Sequence, residues 1–168
     1  MRAFTFENAT KIYFGGGCVK EHLLEAVKPY GETVMLAYGG GSIKTNGIYQ
    51  EVMDVLKLAG KQVIEFSGIM PNPTYSKVME GKKVVQENQV DLILAVGGGS
   101  VMDCSKAISM AAATDKDVWE EYWIKKGEID FEPVPVGVIV TVVGTGSEVN
   151  GEGVITHEEQ KIKTSRNY

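Results

Sequence analysis

Apolar residues along this chain alternate between two patterns, short continuous runs and stretches with apolar positions every three or four residues. The run ETVMLAY (32–38) predicts a strand. The following GIYQEVMDVLKLAG (47–60) sets Ile48, Val52, Val55, Leu56 and Ala59 on one helical face and ends on Gly60, a C-cap residue. The next run, 61–68, predicts a second strand, PNPTY (71–75) a rigid turn into a helix through Asn88, and VDLILAV (90–96) a third strand. The stretch 100–113 predicts a helix apolar on most faces and therefore buried, 118–124 a short amphipathic helix, and 133–143 a further apolar strand. Strands without polar alternation, separated by helical patterns, predict an α/β fold with a mostly parallel sheet and helices on both faces.

Composition narrows the functional classes. A chain of 168 residues with 43% hydrophobic and 23% charged residues is expected to form one compact domain with a sizeable core. No apolar run approaches the roughly 18 residues of a spanning helix. The N-terminus lacks a basic stretch followed by an apolar core, so a cytoplasmic protein away from membranes is expected, with the sequon at Asn8 a chance match. A net charge of −5 with dispersed Lys and Arg argues against nucleic acid as a partner, and none is expected. Cys18 and Cys104 lie far apart and read as buried thiols in a reducing compartment. His22 and His157 read as surface residues without ligand spacing, so the chain is expected to hold no metal of its own.

Glycines carry the candidate chemistry. The stretch LILAVGGGSVMDCSKA runs from an apolar strand through Gly97, Gly98, Gly99 and Ser100 directly into a helix. Free N–H groups and the positive end of the helix dipole meet there, and a missing Cβ lets a phosphate approach the backbone. Ser100 is expected both to cap the helix and to donate its hydroxyl. A plain tight turn is the alternative reading. A Walker loop is excluded, since neither Gly60-Lys61 nor Gly81-Lys82 is followed by Ser or Thr, and the consecutive glycines do not match the usual dinucleotide fingerprint. No Gly-x-Ser-x-Gly elbow surrounds Ser100 or Ser147, which sets a hydrolase aside. Further glycine clusters, AYGGGSIKTNG at 37–47 and TVVGTGSEVN at 141–150, end the first and last strands. Loops of this kind at several strand ends suggest one crevice for an extended ligand such as a dinucleotide.

The motifs YGGGSIKTNGIY, PNPTY, AVGGGSVMDCSKA, GTGSEVN and GVIT together closely resemble the N-terminal domain of the iron-containing (group III) alcohol dehydrogenases, in the butanol dehydrogenase-like branch. The resemblance covers essentially the whole chain. It implies a Rossmann-like, dehydroquinate synthase-like N-terminal domain over residues 1–168 that binds NADP or NAD, with a small alcohol or aldehyde as substrate of the complete enzyme. It implies a pyrophosphate loop at Gly98, Gly99 and Ser100, and further cofactor contacts from Gly97, Gly40, Gly41 and Ser42. It places Asp103 close to the nicotinamide ribose or ring, although a helix first turn also favours a carboxylate by its dipole. Thr141 and Thr145 resemble hydroxyls on the adenosine or diphosphate side, and Lys163 resembles a cofactor-facing lysine, with a solvated charge as its bland alternative. Asn150 is either a further contributor or a turn residue. Family members that prefer NAD carry an Asp resembling position 40; Gly40 here, with Ser42 and Lys44 nearby, favours NADP with NAD as the alternative.

In that family a helical C-terminal domain supplies one Asp and three His to a divalent metal, iron or zinc. Those ligands are missing here, so no catalytic residue is assigned, and this chain alone is expected to be inactive. The expected function is therefore that of a cofactor-binding domain of a metal-dependent alcohol dehydrogenase or aldehyde reductase. The alternatives are a stand-alone nucleotide-binding or interaction module, and a domain of a glycerol dehydrogenase or dehydroquinate synthase relative. A homo-oligomer is expected, because an uncovered apolar face favours self-association.

Overall fold

The structure is a computed structural model that describes residues 8–167. The chain order is α1 (Cys18–Val27), β1 (Thr33–Tyr38), α2 (Ser42–Thr45), α3 (Ile48–Leu58), β2 (Gln62–Phe66), α4 (Tyr75–Asn88), β3 (Leu92–Gly97) and α5 (Gly99–Ala112). A π-helical turn (Trp119–Ile124) then leads to β4 (Val136–Val140), β5 (Glu152–His157) and β6 (Ile162–Asn167). Strands β2-β1-β3-β4 form one sheet in that order, and every pair in it is parallel. The α/β class read from the sequence holds, with helices on both faces.

Strand alternation decides which helix covers which face. Met35, Ala37, Ile93 and Ala95 point into a core closed by α4, α5 and the π-helical turn. Val34, Leu36, Tyr38, Leu92, Leu94 and Val96 point the other way, onto α1, α2 and α3. Both faces of the central strands are thus dry, which is why their sequences lack polar alternation. Helix α5 is buried along most of its length, as its composition predicts.

Several boundaries differ from the sequence pattern for physical reasons. The last sheet strand covers only Val136–Val140 of the apolar run 133–143. Pro133 and Pro135 cannot donate to a ladder, and Val142 and Val143 have left the sheet and are exposed. The segment 118–124 is amphipathic as expected, but as a π-helical turn, with Trp119, Tyr122 and Trp123 buried and Glu120 exposed. The β5–β6 hairpin has no counterpart in the sequence reading. Its turn, HEEQK, contains neither Gly nor Asn, and Lys161 takes the left-handed conformation (φ 56°) there instead. Strand β5 packs on α5 and α4, tied to the PNPTY turn by the Thr156 N–H donating to the Pro73 carbonyl at 2.9 Å.

Candidate functional site

From β1 the chain crosses to β2 on one side and returns as β3 on the other, so a crevice opens beyond the carboxyl ends of β1 and β3. Open parallel sheets bind ligands at such a switch point. The three glycine clusters meet its rim: Gly39–Gly41 follows β1, Gly97–Gly99 joins β3 to α5, and Gly144–Gly146 lies beyond β4.

The central cluster divides by what requires each glycine. Gly97 ends β3 and is fully enclosed; a Cβ there would stand 2.5 Å from Val101 Cγ2. Gly99 is held just as tightly, with Thr145 Cγ2 at 2.7 Å from its Cβ position. Gly98 differs: its backbone is extended (φ −95°), and a Cβ would meet only Val142 at an ordinary 3.5 Å. Nothing in the protein demands a glycine at 98, which leaves close approach by a ligand as its physical use. Gly98 is also the N-cap of α5, so the N–H groups of Gly99 and Ser100 belong to the first turn that no helical carbonyl can satisfy. Ser100 therefore does not cap the helix; it is the second residue inside α5.

Beside this terminus lies a cavity of about 330 Å³, lined among others by Gly99, Ser100, Asp103, Thr145, Asn150 and Lys163. Six of the sequence-predicted positions are thus brought together. Asp103 is the fifth residue of α5, just past the first turn expected for it. Its Oδ2 accepts from the Val154 N–H at 3.1 Å, while Oδ1 is buried without a hydrogen-bond partner. That orphaned oxygen in a cavity wall suits a ligand hydroxyl or amide. Lys163 is exposed, and its Nζ donates to Asn72 Oδ1 at 2.6 Å across the mouth of the cavity. Gly40, Gly41, Ser42, Gly97, Gly98 and Thr141 are not among the residues that line this cavity, although Gly98 directly precedes Gly99 in its wall. Thr141 continues the β4 ladder, its N–H donating to the Gly97 carbonyl at 3.0 Å, and Gly41 needs to be glycine for its own turn (φ 104°).

The sequence reading missed Asn72, Ser147, Glu152 and the residue that organises them, Lys106. Lys106 Nζ donates to the carbonyls of Ser147 (3.0 Å), Asn150 (3.1 Å) and Glu152, and stands 3.9 Å from Asp103 Oδ1. Burial holds this ammonium below the usual lysine value, against the opposing pull of Asp103, Glu152 and Glu148. The available signal was a single lysine, three residues after Asp103, within a helix buried along most of its length.

Lys44, counted from the sequence as free for a phosphate, is already engaged. Its Nζ lies 3.1 Å from Glu65 Oε2 and 4.4 Å from the centre of the Tyr49 ring. Glu65 also accepts from the hydroxyls of Tyr38 (2.5 Å) and Tyr49 (2.6 Å). Those hydroxyls, with Lys44 beside them, hold the Glu65 carboxyl down to about 2, against burial. Because the folded value lies below the ordinary 4.5, the stabilisation by Glu65 is complete above that pH and disappears as pH falls towards 2. The melting-temperature advantage of the wild type over Glu65→Gln is accordingly expected to be constant near neutrality and to shrink below pH 4.5, as read by thermal melts across that range. An advantage independent of pH would show that the carboxylate charge is not what stabilises.

Among the described residues no three His, Cys, Asp or Glu side chains gather as a metal-ligand set. Neither histidine is a plain surface residue: His22 is half-buried and stacks on Tyr13, and His157 stacks on Tyr75 against the opposite core. Cys104 is buried as expected, whereas Cys18 is only half-buried.

Comparison with known proteins gives a consistent family. Residues 9–167 match the family model described as iron-containing alcohol dehydrogenase. The chain is 46% identical to the probable NADH-dependent butanol dehydrogenase 1 of Bacillus subtilis, over 97% of this chain and 41% of that protein. It is 38% identical to the NADPH-dependent aldehyde reductase YqhD of Escherichia coli, over 94% of this chain and 40% of that one. The crystal structure of the NADH-dependent butanol dehydrogenase A of Thermotoga maritima superposes with a TM-score of 0.93 at 40% identity, covering 100% of this chain and 42% of that chain. The chain therefore spans about two fifths of the length of these relatives. With the family model matched over nearly every residue, and the same fold in a solved relative, the chain belongs to the iron-containing alcohol dehydrogenase family.

Proposed function

We propose that this chain is the NAD(P)-binding domain of an alcohol dehydrogenase or aldehyde reductase that transfers hydride between a nicotinamide cofactor and a primary alcohol or aldehyde. The observation that carries this reading is Gly98, a glycine that neither packing nor backbone conformation requires, at the N-cap of a helix beyond the β1/β3 switch point. The N–H groups of Gly99 and Ser100 and the α5 dipole would hold the diphosphate. Asp103 Oδ1 would accept from the ribose or carboxamide of the nicotinamide half, and the Lys163–Asn72 pair would close that end. Gly40, Gly41 and Ser42 would border the adenosine half beyond β1, with Thr145 against the diphosphate loop. The relatives support the substrate class through their names, one a butanol dehydrogenase and one an aldehyde reductase.

When bound, the nicotinamide supplies or accepts the hydride. The residues of this chain orient it: Asp103, itself fixed by Val154 and Lys106, sets the ribose, and Asn72 and Asn150 line that end of the crevice. The metal named by the family finds no ligand set among the described residues.

Calorimetric titration of the chain with NADH and, in parallel, NADPH tests the reading. Saturable binding of at least one is expected, with a melting temperature that rises with ligand concentration. Absence of binding by both overturns it.

A further inference from the structure

A second polar cluster stands at the carboxyl end of β1, on the side that faces β2. Tyr38 is the last residue of β1, Glu65 lies near the end of β2, and Lys44 and Tyr49 come from α2 and α3. The side chains of Tyr38, Lys44 and Tyr49 all converge on the Glu65 carboxylate. Lys44 stands two residues beyond Ser42 in the same short helix, beside the Gly40–Ser42 loop.

We propose that the Lys44–Glu65 pair discriminates between dinucleotides, favouring a free 2′-hydroxyl over a 2′-phosphate at the adenosine end. The proposal rests on the dinucleotide reading above and adds to it the residues that choose between NADH and NADPH. Gly40 carries no carboxylate, so nothing in the loop itself repels a 2′-phosphate. Selection then depends on whether a cation is free to meet it. Lys44 is not: its ammonium lies over the rings of Tyr49 and Tyr38, at 4.4 and 5.2 Å from their centres, and is paired with Glu65. Releasing it to a phosphate would break the ion pair and both ring contacts. It would also leave the Glu65 carboxylate, kept ionised by two tyrosine hydroxyls, close to the incoming phosphate. A 2′-hydroxyl meets neither penalty, because it is neutral and can donate to a carboxylate.

The test measures dissociation constants for NADH and NADPH with the wild type, Glu65→Gln, Tyr49→Phe and the double variant Lys44→Ala/Glu65→Gln. The wild type is expected to bind NADH more tightly. In Glu65→Gln the freed ammonium is expected to move the NADPH-to-NADH affinity ratio about tenfold towards NADPH. Tyr49→Phe, a milder change that removes one hydroxyl from the carboxylate, should move the ratio the same way by less. The double variant should lose the shift, since the cation is gone. Wild-type preference for NADPH, or a ratio unmoved in both Glu65→Gln and Tyr49→Phe while both dinucleotides bind, overturns the discriminator and leaves the dinucleotide site standing. Binding of neither dinucleotide by the wild type overturns the site and the discriminator with it.

Discussion

Gly98→Asp is expected to weaken NADH and NADPH binding by about a hundredfold or more while leaving the melting temperature unchanged or higher, a pairing of effects that a purely structural glycine would not give. The position tolerates a side chain: its backbone is extended, and a Cβ would meet Val142 at 3.5 Å, an ordinary contact. As the N-cap of α5, an aspartate there would accept from first-turn N–H groups and complement the helix dipole, both stabilising relative to glycine. The same carboxylate would occupy the N–H groups intended for the diphosphate and repel its charge. Gly97→Ala provides the contrast. Its Cβ would press on Val101 at 2.5 and 2.8 Å inside the strand–helix contact, so a loss of about 1–3 kcal/mol of stability is expected from overpacking. Thermal melts and calorimetric titration of both variants separate the two roles. Retained dinucleotide affinity in a folded Gly98→Asp protein would remove the diphosphate from this loop.

How much of this was legible in the sequence depends on how local each signal is. The strands of the sheet and the helices between them were readable because dryness on both faces erases polar alternation in β1 and β3, and helical spacing is a property of one segment. The central glycine loop was readable for the same reason. Three consecutive glycines identify a loop, but they do not reveal that Gly97 and Gly99 are glycine for packing and Gly98 for none. That division exists only once Val101, Thr145 and Val142 are brought against them. Lys44 shows the limit most clearly: sequence proximity to Ser42 made it look free, while its real partners come from β1, β2 and α3. The β5–β6 hairpin was hidden because its turn carries no glycine, and with it went the far wall of the cavity.

Lys106→Met is expected to cost about 3 kcal/mol of stability and, in the protein that remains folded, to weaken dinucleotide binding by at least about tenfold. The methionine replaces most of the aliphatic stem, so packing within α5 changes little and the loss isolates the ammonium. What the ammonium does is long-range: from one position on α5 it gathers carbonyls of Ser147, Asn150 and Glu152, more than forty residues away in sequence, and lies within 3.9 Å of Asp103. With its side chain only 14% exposed, water is poorly placed to substitute for it. Removing it leaves those oxygens facing one another and the Asp103 carboxylate without its neighbouring cation. The residues it holds are the cavity wall itself, which links the stability effect to the binding effect. A stabilising role alone would lower the melting temperature and leave the dissociation constant unchanged well below it. A positioning role changes both. Lys106→Arg keeps the charge but spreads it over a wider, planar group, so it should recover part of the stability and little of the affinity. An unchanged dissociation constant in folded Lys106→Met would confine this lysine to holding the loop.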